Sequence, residues 1–431
     1  MKINTRIIML YCMIWFDQFL LAGITSTKMG TQKEHMACVT SNTHYLVGLE
    51  NIHDPVWQKL GMQSKDKLSI GLITNQTGKD SKGRRTIDLL LARGLAIKRI
   101  FAPEHGIEGT VNAEKEVHDT IDSTTGIPVV SLYGKGSGKR LAPHKIKDLD
   151  ILIFDMQDCG MRHYTYISTL LHCMETASHH EIPFVVLDRP NPLGIRMEGP
   201  VCEPHSKSFI AAAPIPLRHG MTIGELARYF NVYVLEKKVK LHVVSLHNYE
   251  RHLPITDALF SPLSPNIPSL SACYGYSFLG LLGEVRPFDC GLGTDHAMAS
   301  LGFSVDVKFP DKKWIQLQKI LQQSGLKSEF HTYYSARKKK MCRGLKFDIQ
   351  DINTVASYEA LTNILKFFSD AGISLKFSKL FDIAVGSSLV REYVQGVVKK
   401  SVLDMQVADK LTLFSGQAQQ VYLYKPWPQV H

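Results

Sequence analysis

Four carboxylates in the first half of the chain stand at or just past the ends of short apolar runs. They are Glu104 after AIKRIFAP, Asp155 and Asp158 in DILIFDMQD, and Asp188 at the end of IPFVVLD. Acids that share a cleft repel one another, so the pKa of at least one member rises. A protonated acid beside an ionised one is what glycoside hydrolysis needs. The first protonates the leaving oxygen, and the second acts as nucleophile or base. Glu104 stands out, because glutamate is a poor turn residue and here it sits between Pro103 and the pair His105–Gly106. For Asp155 and Asp188 the competing use is to cap a helix or bind loop amides. The amides and tyrosines nearby, among them Asn75, Tyr133, Gln157, Tyr164, Tyr166 and Asn191, suit sugar hydroxyls and ring faces. Arg162, Arg189 and Arg218 offer bidentate grips for an acidic substituent.

The elements that must position these side chains form a regular series. LSIGLIT (68–74), AIKRIF (96–101), IPVVSLYG (127–134), DILIFD (150–155) and IPFVVLD (182–188) are short apolar runs with helical stretches between several of them. TIDLLLARG has helical spacing and stops on Gly94, and TYISTLLHCMETASHH and MTIGELARYF also read as helices. LHVVSL (241–246) suits a sixth strand. Apolar strands alternating with helices predict an α/β fold with a mostly parallel, Rossmann-like sheet covered on both faces. In such sheets ligands bind beyond the strand C-termini. Here those termini run into TNQTG, APEHG, SLYGKG, DMQDCGMRHYTY and DRPNPLG, so the chemistry is gathered on one edge. This domain is expected over 46–258. The proline- and serine-rich LFSPLSPNIPSL begins a smaller α+β domain over 259–431 that closes the cleft.

Other chemistries fit less well. YGKGSGKR is one residue short of P-loop spacing and has Arg140 where serine or threonine belongs, so a loop over the cleft is the expected use. No GxGxxG, GxSxG or HExxH occurs, and the eight cysteines form no CxxC pair. No metal or cofactor is expected, and the cysteines read as buried thiols. The composition, 44% hydrophobic and 21% charged over 431 residues, is that of a globular protein. The net charge of +10 suits an anionic partner. The basic residues are scattered, with ARKKKMCRGLK the densest run, which argues for a solvated surface and against nucleic acid. MKINTRIIMLYCMIWFDQFLLAGITS resembles a secretory leader over 1–25, followed by a polar spacer over 26–45. The expectation is export to the periplasm or the exterior, with no stable membrane insertion once the leader is gone.

GLITNQTG, FAPEHGI, VVSLYG, LIFDMQDCGMRHYTYISTL, PFVVLDRPNPLG, EGPV and PIPLRHGMTIGELARYFN follow one another in order. In this the chain resembles the exo-β-N-acetylmuramidase (NamZ-like) family of glycoside hydrolases, from about Val47 to Tyr424. The resemblance implies release of terminal N-acetylmuramic acid from the non-reducing end of peptidoglycan fragments, with the site in a cleft between two domains. It implies Glu104 as the catalytic carboxylate with His105 beside it, and Asp158, or else Asp155, is the expected second carboxylate. It places Gln157, Arg162, Tyr164, Tyr166 and, in the RHG motif, Arg218 and His219 toward the substrate. The muramic lactyl carboxylate gives an arginine a task. Glu108, Lys115 and the stretch 283–297 depart from the family pattern. They point to altered specificity, or to a weak or silent muropeptide-binding protein on the same scaffold.

Overall fold

β-branched and aromatic residues fill the six runs, and each becomes a strand whose alternate side chains enter opposite cores. In the computed structural model, which describes residues 45–59, 68–112, 115–134, 138–257 and 259–425, Leu152, Phe154, Phe184 and Val186 enter one core. Ile151, Ile153, Val185 and Leu187 enter the other. This period of two, with both faces apolar, makes the strands read as near-continuous hydrophobic runs. The leader expected over 1–25, and the spacer apart from Tyr45, lie outside the described residues.

A short helix α1 (Pro55–Lys59) precedes the sheet. The strands are β1 (Ser69–Thr74), β2 (Ala96–Ala102), β3 (Thr120–Ile121), β4 (Pro128–Ser131), β5 (Ile151–Asp155), β6 (Phe184–Leu187) and β7 (Leu241–Val244). Their order across the sheet is β3-β4-β2-β1-β5-β6-β7. Every neighbouring pair is parallel except β3–β4. Without the β3 ribbon this is the strand order of the dinucleotide-binding fold, and its direction reverses between β1 and β5. The α/β class with a mostly parallel sheet is thus the observed one. Helices α2 (Thr86–Ala92), α3 (Tyr166–His179) and α4 (Ile223–Tyr229) connect the strands. Trp57 of α1 and Leu90 of α2 pack on one face. Leu170 of α3 and Leu226 of α4 pack on the other. A capping box joins Thr222 and Glu225 and fixes the start of α4.

The remaining elements are α5 (Leu270–Leu279), β8 (Val285–Arg286), β9 (Ser300–Ser304), α6 (Asp311–Gln323), β10 (Lys327–Ser335), β11 (Lys340–Asp348), α7 (Ser357–Asp370), β12 (Lys376–Phe377), α8 (Lys379–Val385), α9 (Leu389–Val394) and α10 (Lys400–Gln419). They build an antiparallel sheet of order β10-β11-β9 and a β8–β12 ribbon. The basic run 336–346 is the turn and second strand of the β10–β11 hairpin. The core of this region is continuous with the α3 side of the parallel sheet, and the described residues pack as one unit. Backbones meet where α5 crosses the loop before β9: a Cβ on Gly275 would lie 1.6 Å from the Met298 carbonyl oxygen. The chain end returns to the first sheet, where Tyr424 donates from its hydroxyl to Asp188 Oδ2 at 2.5 Å and accepts from Leu246 N at 2.8 Å. Among the described residues the cysteines, Cys159 and Cys273 among them, are free and buried. No described helix is long and apolar enough to cross a membrane.

Candidate active site

The strand β2 ends at Ala102, and the next residues turn sharply. His105 and Gly106 both adopt left-handed backbone conformations, with φ of 70° and 77°. A residue with a side chain in that region is uncommon, and in histidine it is held only by its surroundings. Here Val111 supplies the hold. Its N–H donates to the His105 carbonyl at 3.2 Å, and its carbonyl lies 2.6 Å from His105 Nδ1. Only a protonated Nδ1 can donate to a carbonyl, so neutral His105 keeps Nε2 as an acceptor.

Glu104 is buried, 8% exposed, and its Oε2 accepts a 2.7 Å hydrogen bond from Thr165 Oγ1. Both Glu104 and His105 line a cavity of about 740 Å³, a size typical of small-ligand sites. Tyr133 and Tyr164, from the tails of β4 and β5, line it as well, and Tyr276 of α5 joins them. Burial pushes all three phenols well above their ordinary value, and the Glu104 charge adds to this for Tyr133 and Tyr276. They therefore stay protonated at neutral pH. His163 stacks on Tyr276 with centroids 4.8 Å apart. Burial, and then the charge of Arg162, drives its pKa down to about 3, so it is neutral. Neither ring nitrogen has a hydrogen-bond partner among the described residues. Lys115, Lys139 and Asn266 bring polar groups to the wall. The Lys139 ammonium lies 4.5 Å from the Phe209 ring centroid and 5.2 Å from that of Tyr133. Apolar wall comes from Leu292, Met298, Leu380 and Ile383 of the second region.

Of the residues singled out from sequence, Glu104, His105, Tyr133 and Tyr164 meet in this cavity. The expected convergence of four acids does not occur, because three of them turn to internal partners. Asp155 sits at the β1–β5 reversal, where Arg189 grips it through Nε at 2.5 Å and Nη2 at 2.9 Å and Thr86 donates to it. Asp158 accepts from Gly160 N at 2.6 Å and pairs with His219 Nε2 at 3.0 Å. His219 Nδ1 accepts from Met221 N, so the proton is on Nε2. Asp188 is fully buried against Tyr424, Thr222 Oγ1 and Gly224 N.

The arginines are committed to the scaffold too. Arg162 donates to the carbonyls of Pro200, Ile215, Ala384 and Val385, which ties the first sheet to α8. Arg218 pairs with Glu198 at 2.9 Å and donates to backbone carbonyls, Val355 among them. Gln157 donates to Asp158 O and Pro190 O, and Asn191 to Met221 O. Tyr166 and Tyr164 both donate to the Leu263 carbonyl, but only Tyr164 is on the cavity wall. Asn75 and Glu108 share a separate depression of about 180 Å³, so the departure at Glu108 is not on the wall, whereas Lys115 is.

Thr165, His163, Asn266 and Tyr276 line the wall without having been expected as site residues, and Lys139 lies in the loop YGKGSGKR that was expected over the cleft. Sequence reasoning also passed over two further wall carboxylates, Glu116 and Glu284. Thr165 and His163 flank Tyr164 in the motif HYTY, and that proximity was the available signal. Asn266, Tyr276 and Glu284 come from the second region, and nothing local ties them to Glu104.

A buried carboxylate beside a histidine and phenols can serve glycoside hydrolysis where a second carboxylate shares the cavity. Two family models, for the N-terminal and C-terminal parts of the exo-β-N-acetylmuramidase NamZ, match residues 70–271 and 274–424. The chain belongs to this family, and it is a glycosidase. It is 36% identical over 311 residues to the peptidoglycan β-N-acetylmuramidase NamZ of Bacillus subtilis (strain 168), covering 70% of this chain and 73% of that one. Two crystal structures of DUF1343 family proteins from Bacteroides fragilis NCTC 9343 share the fold. One has a TM-score of 0.77 at 29% identity and the other 0.69 at 25%, each covering 89% of this chain and 100% of its own.

Proposed function

We propose that this glycosidase removes N-acetylmuramic acid from the non-reducing end of peptidoglycan fragments, with Glu104 as the group that transfers the proton to the glycosidic oxygen. The observation that carries the reading is the placing of Glu104 in the cavity, with a hydroxyl donor, a histidine and protonated tyrosines around it. Thr165 fixes one carboxylate oxygen of Glu104 on the cavity wall. The phenols and Asn266 suit sugar hydroxyls. Lys115 and Lys139 take the task that sequence reasoning gave to arginines, that of meeting the lactyl carboxylate. His105 Nε2, as an acceptor, suits a water or a sugar hydroxyl.

For a second carboxylate the cavity wall offers Glu284 and Glu116, whereas the expected Asp158 is engaged by Gly160 and His219. The reading includes export, on the leader-like residues 1–25 alone. The test is release of chromophore from a β-N-acetylmuramide by wild type and by Glu104→Gln. Equal rates would remove Glu104 from its role. Muropeptide binding by the wild type with no sugar release would favour the silent-binder reading instead.

A further inference from the structure

The catalytic cavity has neighbours beyond its own wall. Gly283 lines it and also lines two further depressions, of about 390 and 420 Å³. Both of these depressions contain Arg286 and Arg337, and the first also contains Lys376. Gly283 has no side chain to divide them, and an added Cβ there would meet nothing within 4 Å. The three hollows therefore adjoin at this residue, and the two depressions form a trough next to the cavity.

The cations of the trough are not explained by folding. Arg286 on β8 and Lys376 on β12 are direct cross-strand partners in the antiparallel ribbon. Like charges placed opposite each other destabilise a ladder. Both are exposed, as is Arg337. Among the described residues, none of the three takes part in an ion pair. One carboxylate, Glu284, lines the first depression as well as the cavity, and it accepts the Ser378 hydroxyl. Lys338 is used by the scaffold, since its ammonium donates to the Pro287 and Phe288 carbonyls. Three unpaired cations held together beside a catalytic cavity, at a cost to the local ladder, form an anion-binding surface.

We infer that this trough binds the aglycone side of the substrate by the lactyl carboxylates of the muramic acids that follow the one being removed. This rests on the function proposed above. In a peptide-free glycan strand every second sugar carries such a carboxylate. With the terminal sugar at Glu104 the rest of the strand must leave the cavity, and the trough adjoining at Gly283 leads it past Arg286, Lys376 and Arg337. The protein thus favours strands over the disaccharide.

The test compares peptide-free di- and tetrasaccharides that end in N-acetylmuramic acid. The wild type should show kcat/KM roughly tenfold higher on the tetrasaccharide at low salt, the gain expected of two or three exposed charge contacts, and lose this gain as salt is raised. Arg286→Gln combined with Lys376→Gln should lose the gain and keep the disaccharide rate, with a melting temperature equal to or above that of the wild type because the like-charge pair leaves the ladder. Methyl esters of both oligosaccharides should show no gain. No gain in the wild type, or a gain that survives the double substitution or the esterification, overturns the inference. A gain seen only with peptide-bearing strands overturns it in favour of stem-peptide carboxylates. If no sugar is released from any substrate, the hydrolase reading fails. The trough is then judged by calorimetric affinity alone: roughly tenfold tighter binding of tetrasaccharide than disaccharide, lost in the double variant, supports it, and equal affinities end it.

Discussion

Thr165 Oγ1 donates to Glu104 Oε2 across 2.7 Å, joining the residue that precedes α3 to the tail of β2. Thr165 is held in turn, because its carbonyl accepts from Thr169 N and from Thr169 Oγ1. The catalytic candidate is therefore aimed by a helix end. Glu104→Gln should lower kcat by about 10³-fold, within the range general acid–base groups contribute. Thr165→Val should lower it by about tenfold with KM little changed, because it removes one aiming hydrogen bond and leaves the carboxylate. Steady-state kinetics check both. A Thr165→Val enzyme at full rate would mean that the contact does not aim the group.

Lys139 stands on the cavity wall beside Phe209 and Tyr133. If it meets the lactyl carboxylate throughout the reaction, Lys139→Met should raise KM about fivefold and leave kcat unchanged, the pattern of uniform binding. The effect should shrink as salt is raised. A change in kcat alone would assign the lysine to the chemical step.

Arg162 lies fully buried and satisfies four backbone carbonyls from two regions of the chain. Arg162→Met should destabilise the fold by about 3–5 kcal/mol, because buried acceptors lose their donors. Urea denaturation measures it. A loss below 1 kcal/mol would show that water takes over the donors' work.

Asp188 is pushed up to about 7 from its ordinary 3.8 by burial, opposed by the Tyr424 hydrogen bond and raised further by the Glu225 charge. Between these two values the folded protein holds a proton that the unfolded chain releases. Stability from this group is therefore complete below the lower value and is lost as pH rises toward the upper one. The slope is at most about 1.4 kcal/mol per pH unit. Asp188→Asn should flatten the pH dependence of the denaturation midpoint between pH 4 and 7. Parallel curves for the two proteins would count against this titration.

The sheet was legible because its strands are buried on both faces. Phe184–Leu187 and Ile151–Asp155 stand out as apolar runs whatever surrounds them. The short polar turns between them then placed the active edge. What could not be read was the direction in which each strand-end side chain turns. Glu104 faces the cavity, whereas Asp155 meets Arg189, which lies 34 positions later, and Asp188 meets Tyr424, which lies 236 positions later. Buried carboxylates are steered by such distant partners, which leave no local pattern. The same holds for Tyr276 and Glu284, which reach the cavity from the second region. The charged run 336–346 was readable as a surface, but not as a hairpin, because its turn, Ala336 to Lys339, has no glycine, asparagine or proline to mark it.

The contact between Gly275 and the Met298 carbonyl gives the cavity a remote control point. Met298 is part of the wall, yet its position is set by a residue with no side chain on the far side of the loop. A methyl group at 275 would force α5 or the Met298 segment to shift, and a shift of Met298 moves the cavity wall. The placing of this part of the wall therefore depends on the absence of one carbon atom in a residue that does not itself line the cavity.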